Sequence, residues 1–230
     1  MTAAVLAGLL LAAPAQAELL AVPGDVRRAL HAASVEVLPA GCAGVVAASP
    51  RLVLTAAHCA DRTQLRVRFT SGATRTARRL AIDEAADQSV LLVEDPVPVD
   101  PLSLVHRRPI PGTVLYFEGN PSRPRFQRVR VDRVGVCSSL PHLPDALFTS
   151  IRGAPGDSGA PLVDGAAQVV GLVHGGARCQ IATPADTLVR LLDRVLEQAS
   201  LKMTDARPRH AIVLACPCPG GASSRRAPRG

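Results

Sequence analysis

Apolar and polar residues follow two rhythms along this chain. Leu65-Arg66-Val67-Arg68-Phe69 and Val129-Arg130-Val131-Asp132 alternate with period two, as expected of strands that bury one face. The same kind of short Val/Leu-rich run recurs as "SVEVL", "AGVVA", "RLVLTAA", "QLRVRFT", "SVLLVE", "TVLYFEG", "FQRVRVDRVGV", "ALFTSI", "PLVDG" and "VVGLVHGG". Pro and Gly punctuate them, which predicts an all-β chain of many short strands, built as a sandwich or a pair of barrels. One segment keeps a different period. Thr183-Pro184-Ala185-Asp186 opens "TLVRLLDRVLEQAS" with a capping residue, a first-turn proline and an early acid, and Leu188, Leu191, Leu192, Val195 and Leu196 share one face. An amphipathic helix is expected to close the fold there.

Composition narrows the partners. The chain has 230 residues, 47% hydrophobic and 20% charged, an ordinary globular balance; aromatics are 2%, so Val, Leu and Ala must fill the core. The net charge of +7 is concentrated at one end: residues 201–230 carry six basic side chains and one acid, supplying +5. The body is close to neutral, which disfavours nucleic-acid binding by the folded part. Residues 1–17 contain an apolar run that ends in Ala15-Gln16-Ala17 and reads as a secretory signal peptide too short to span a bilayer, though no basic residue precedes it. Cleavage after Ala17 leaves 230 − 17 = 213 residues. The remainder divides into residues 18–40, a pro-segment or the start of the fold, a domain over 41–200, and a basic tail at 201–230 expected to be disordered. Export makes disulfides of the six cysteines expected, and no Cys/His spacing suits zinc, so neither metal nor cofactor is implied.

The candidate chemistry lies in three places. "GAPGDSGAP" sets Ser158 in small, turn-forming residues; "TAAHC" places His58 after an apolar strand; "DEAADQSVLLVED" places Asp87 at the head of another, with Asp83 and Glu84 nearby. A lone serine hydroxyl is a poor nucleophile and needs a base to take its proton. An α/β-hydrolase elbow is excluded, because it needs G-x-S-x-G and the order Ser, Asp, His; here the fifth residue is Ala160 and the order is His, Asp, Ser.

In that order, "TAAHC", the acid before an apolar strand and "GDSGAP" resemble the trypsin/chymotrypsin family of serine proteases, from about Gly41 to Ser200. The resemblance implies two six-stranded antiparallel β-barrels with a C-terminal helix, in a compact bacterial-type member. It implies His58 as general base and acid, Asp87 as its orienting partner, Ser158 as nucleophile, and the N–H groups of Gly156 and Ser158 as oxyanion donors. It pairs Cys42 with Cys59 and leaves Cys137 and Cys179 to bond by default, with Cys216 and Cys218 unassigned. Asp157 matches an acid that pairs with a freed N-terminal amine in the family. No "IVGG"-like sequence precedes Gly41, so an arginine or a backbone donor is expected on it instead.

The same alignment places Arg152, six residues before Ser158, at the base of the specificity pocket, with His174 where many relatives have Ser. A cation there opposes Lys or Arg substrates and points to acidic residues before the cut, or to small apolar ones if Arg152 turns to solvent. The expected protein is a secreted, monomeric serine endopeptidase acting on protein or peptide substrates, with no nucleic-acid partner and no stable membrane anchor. The competing readings are a catalytically silent relative that binds a partner through the same cleft, and an esterase on the same fold.

Overall fold

The structure is a computed structural model that describes residues 21–138, 141–143, 145–174 and 179–205. The signal peptide expected at 1–17 lies outside them, as do residues 206–230 of the expected tail, with Cys216 and Cys218.

Period-two segments bury their apolar side by closing into barrels. Strands β1 (Ser34–Leu38), β2 (Cys42–Val46), β3 (Leu52–Thr55), β4 (Gln64–Phe69), β5 (Thr74–Asp83) and β6 (Gln88–Val93) form a closed antiparallel barrel in the order β1-β2-β3-β6-β5-β4. A second closed barrel runs β10-β11-β12-β9-β8-β7, from β7 (Val114–Phe117), β8 (Gln127–Gly135), β9 (Ala146–Thr149), β10 (Pro161–Val163), β11 (Val169–His174) and β12 (Ile181–Pro184). The expected architecture of two six-stranded barrels is what the chain adopts. In β4 the residues alternate strictly between exposed and buried, with Leu65, Val67 and Phe69 inside. Val35, Val37 and Leu91 join them within the first barrel, while Leu115, Phe117, Val129, Val131 and Leu147 fill the second.

Two helices seal the seam between the barrels. The segment ahead of β1 forms helix α1 (Gly24–Ala33), whose Val26, Leu30 and Ala33 recur at helical spacing and are buried. Ser34 Oγ donates to the Leu30 carbonyl at 2.8 Å where that helix ends. The closing helix α2 (Ala185–Asp205) starts after Thr183 and Pro184, which belong to β12, and runs five residues past the expected end at Ser200. Its Leu188, Leu191 and Leu192 share one core with α1, with Leu54 and Val90 of the first barrel and with Val163 and Leu172 of the second. Beyond that core Leu196 is 60% exposed. Among the described residues no helix is long and apolar enough to cross a membrane.

Two disulfides are present, Cys42–Cys59 and Cys137–Cys179. The first joins β2 to the short 3-10 turn Ala57–Cys59 that carries His58. Closing a loop of that size is worth about 3 kcal/mol in the chain-entropy picture.

Candidate active site

His58 stands at the end of an apolar strand on a 3-10 turn whose flanking residues Ala57 and Cys59 are buried, so the ring is the part of this turn that projects outward. Asp87 meets it from the start of β6. Its Oδ1 accepts from the His58 backbone N–H at 3.1 Å and from Nδ1 at 2.9 Å, and Nδ1 lies 3.0 Å from Oδ2. Asp87 adopts a left-handed backbone conformation with φ 50°, closing a turn in which its N–H meets the Glu84 carbonyl. Asp tolerates that region better than most residues, and such conformations concentrate at functional sites. Asp83 is engaged elsewhere, accepting from the Ala86 N–H at 3.0 Å and pairing with Arg194.

A third group completes this cluster. His174, at the end of β11, donates from Nδ1 to Asp87 Oδ2, and its ring lies 5.1 Å from that of His58 at 74°, edge to face. Burial alone would push the Asp87 carboxyl upward, but the hydrogen bonds from His174 and His58 outweigh it and hold the group well below the ordinary carboxylate range. In turn the hydrogen bond that His58 donates to Asp87, opposed by burial and aided by the charge of that acid, raises His58 above 6.5. A cavity of about 660 Å³ opens beside the three residues and is also lined by Arg79, Glu84 and His142. Neither Ser158 nor Arg152 is in its lining. His58, Asp87 and His174 bring ligand-type atoms within 4.8 Å of one another. Both Nδ1 atoms face Asp87, however, so protons already organise this cluster.

Ser158 is 9% exposed, in a turn held from several sides. Its carbonyl accepts from the Ala43 N–H at 2.9 Å, which sets the serine against the first barrel and beside the disulfide. Gly156 and Gly159 have φ of 93° and 81°. A Cβ on Gly159 would collide with the Ala43 carbonyl, Thr55 Oγ1 and the Ala56 nitrogen, so glycine is required there. The N–H groups of Asp157, Gly159 and Ala160 donate to backbone carbonyls. Those of Gly156 and Ser158 donate to no acceptor among the described residues. Two unspent donors in one tight turn leave room for an acceptor from outside the chain. No hydrogen bond joins Ser158 Oγ to His58 among the described residues.

Asp157, 1% exposed, anchors the turn from below. Its Oδ2 accepts from the Arg125 guanidinium and from the Ala154 N–H at 2.7 Å, and its Oδ1 from the Asn120 N–H at 3.0 Å. Asn120 braces the same turn with its side chain. Nδ2 donates to the carbonyls of Gly41 at 2.9 Å and Gly156 at 3.2 Å, and Oδ1 accepts from the Ser122 N–H. Sequence reasoning left open which arginine, if any, met Asp157, and it missed Asn120 altogether; the only signal was its place after Gly119, where a Cβ would press on Asp157 Oδ1 at 2.9 Å.

Arg152 is exposed and its backbone is fixed, with N–H donating to Gln127 Oε1 at 3.0 Å and carbonyl accepting from Gln127 Nε2 and Arg125, each at 3.1 Å. Its guanidinium pairs with no carboxylate among the described residues. His174, expected close to the triad and near Arg152, turns Nδ1 to Asp87, an ionised acid being the strongest acceptor within reach. Residues 175–178, which follow β11 in the sequence, lie outside the described residues.

Residues 42–172 match the model of the trypsin-like peptidase domain family, a span containing His58, Asp87 and Ser158. No curated protein matches the chain by sequence. Among solved structures it is similar to the Rv3671c protease in an inactive form, with a TM-score of 0.61 and 23% identity over 79% of this chain and 96% of that one. At that identity the likeness shows the fold.

Proposed function

The chain belongs to the trypsin-like peptidase domain family, and we propose that it is a secreted serine endopeptidase with Ser158 as nucleophile, His58 as general base and acid, and Asp87 as the acid that orients it. The observation that carries this reading is the pair of unspent N–H groups at Gly156 and Ser158, in a turn where those of Ala154, Asp157, Gly159 and Ala160 are used. They suit an oxygen that gains charge only as the substrate carbonyl becomes tetrahedral.

With Asp87 on Nδ1, the imidazole of His58 carries its proton there and leaves Nε2 free to accept one. A substrate seated over the oxyanion turn brings its carbonyl carbon to Ser158 Oγ. As the new C–O bond forms, the hydroxyl proton passes to Nε2, and Asp87 stabilises the resulting imidazolium. That proton then goes to the leaving amine as the C–N bond breaks. Water repeats the sequence on the acyl-enzyme and restores the serine. The Ser158–His58 contact tightens when a substrate is present, as catalytic hydrogen bonds in empty sites often are long. Exposed Arg152 offers a cation to an acidic residue before the cut, and a pocket from which it turns to solvent takes a small residue instead. The leader pattern at 1–17 and the two disulfides support export.

Fluorophosphonate labelling of the oxidised chain, read by mass spectrometry, tests this. Stoichiometric labelling of Ser158, absent in Ser158→Ala, is expected. No labelling would favour a binding protein on the same fold. Peptides differing only in Glu, Ala or Lys before the cut then test the pocket, and equal turnover of Glu and Lys would remove the role of Arg152.

A further inference from the structure

Helix α1 makes contact on two faces. Val26, Leu30 and Ala33 fill the core at the seam, while Arg27 and His31, one turn apart, meet the segment that joins β7 to β8. The Arg27 guanidinium lies 4.5 Å from the centre of the Phe126 ring, the His31 ring lies 6.2 Å from it, and His31 Nδ1 pairs with Glu118 Oε1. Glu118 and Phe126 are the two ends of that segment, which closes on itself where the Arg125 N–H donates to the Glu118 carbonyl at 2.9 Å. Between them stand Asn120 and Arg125, the residues that hold Asp157 and brace the carbonyl of Gly156.

Glu118 makes this contact more than packing. Its side chain is fully buried, and burial pushes the carboxyl up. The three groups that favour its charged form, His31, Ser34 and Arg27, all belong to α1 or to the residue that ends it. Ser34 gives its hydroxyl proton to the Leu30 carbonyl, and Glu118 Oε2 has no hydrogen-bond partner among the described residues, so His31 is the group that answers the acid. A buried carboxyl deprived of its partner must take up a proton or turn to water. Turning out from its place just after β7 would carry Gly119 and Asn120 with it, and with them the N–H that Asp157 Oδ1 accepts.

We propose that helix α1 is an internal clamp on the oxyanion turn, with His31 and Arg27 as positioning residues that act through Glu118 and Phe126 on Asn120, Arg125 and Asp157. The proposal rests on the serine-protease reading above. It makes residues 24–33 part of the working enzyme, not a segment removed on maturation. It also separates the two halves of the site. The turn around Ser158 depends on the helix, whereas no hydrogen bond or ion pair joins α1 to His58 or Asp87 among the described residues.

The test compares the full chain with its Arg27→Ala, His31→Ala and His31→Asn variants, and uses Arg28→Ala, an exposed position on the same helix, as the control. In His31→Ala the rate of Ser158 labelling by a fluorophosphonate and kcat should both fall about tenfold, with KM within about twofold, because the turn is misplaced and not the substrate site. His31→Asn keeps an N–H near the place of Nδ1 and should stay within about threefold of wild type. Arg27→Ala removes an exposed side chain and should lose about threefold in the same two rates. Arg28→Ala should match wild type. A second readout needs no turnover. In His31→Ala the amides of residues 118–126 and 153–160 should exchange hydrogen faster, while those of 84–93, which carry Asp87, keep the wild-type rate. Unchanged labelling and exchange in both His31→Ala and Arg27→Ala would overturn the proposal, as would faster exchange throughout the chain, which would make α1 a general stabiliser. A fluorophosphonate-labelled chain whose N-terminus lies beyond Ala33 would overturn it too. Faster exchange confined to the two segments, in a protein that no fluorophosphonate labels, would sink the protease reading and leave the clamp standing.

Discussion

Two buried aspartates support the two halves of this site, and they are held in opposite ways. Asp87 faces the imidazoles of His58 and His174. Asp157 faces a guanidinium and the backbone N–H groups of Asn120 and Ala154, donors that keep their protons near neutral pH. On the proposed mechanism the imidazole side takes up and releases a proton at His58 during every turnover. The oxyanion side must stay fixed while charge appears above it and is built from donors that keep theirs. The difference assigns pH sensitivity to one carboxylate and rigidity to the other.

The largest effect should come from removing the charge on the responsive side. Asp87→Asn should keep the fold and lower kcat by about 10⁴-fold, since an amide cannot hold the working tautomer of His58 or stabilise its charged form. Steady-state kinetics with circular dichroism would check both halves of that statement. Next comes the fixed side. Arg125→Ala leaves Asp157 buried without its cation and should cost about 3 kcal/mol of unfolding free energy in urea, the lower end for a broken buried pair because the arginine is 39% exposed on its own side. Labelling of Ser158 should fall in the same proportion at every pH between about 6 and 9; a loss confined to low pH would erase the contrast between the two acids. Asn120→Ala is milder. It frees the carbonyls of Gly41 and Gly156 and should cost about 1 to 2 kcal/mol, with kcat falling more than KM changes if the brace serves the oxyanion turn.

The smallest expected effect is a displacement along the pH axis. On the proposed mechanism neutral His58 is the base, and its bond to Asp87 raises its pKa above 6.5, so activity should fail on acidification at a pH above that value. The same shift contributes stability that is full below 6.5 and lost as pH rises through the raised value, whereas the lowered pKa of Asp87 contributes stability above 3.8 that is lost only in strong acid. In Asp87→Asn the midpoint of His58 should move down. NMR titration of the His58 ring protons would measure it.

Most of the barrels could be read from short Val/Leu-rich runs set between turn residues, only some of which alternate, and the strands that could not show why. β5 carries "TRTARRLAID", in which only Ala77 is buried, so its polar surface hides the alternation. β12 is four residues long and ends in the Thr183-Pro184 pair that reads equally well as a helix cap. Without these two strands neither barrel closes. Helix α1 did carry a signal, Val26, Leu30 and Ala33 at spacings of four and three, but Pro23-Gly24 and Arg27-Arg28 interrupt the apolar pattern there. The turn around Ser158 was legible because its residue types are dictated locally, by φ and by space. Arg125 was not, since a chain with 26 Lys and Arg offers many candidates, and the choice among them is made by a contact 32 residues away. His174 was seen as a site residue on alignment, yet its direction is a matter of which acceptor lies nearest.

The bond from the Ala43 N–H to the Ser158 carbonyl, with Asn120 reaching back to Gly41, means that each barrel holds part of the other's reactive surface in shape. Cut in the connection between β6 and β7 and made as two separate polypeptides, neither piece would have a working site, because His58 and Asp87 would go with one and Ser158 with the other. Activity would then report reassembly and would rise with the product of the two fragment concentrations. The seam that makes this enzyme whole could in that way serve as a sensor of whether two other proteins, each fused to one barrel, have met.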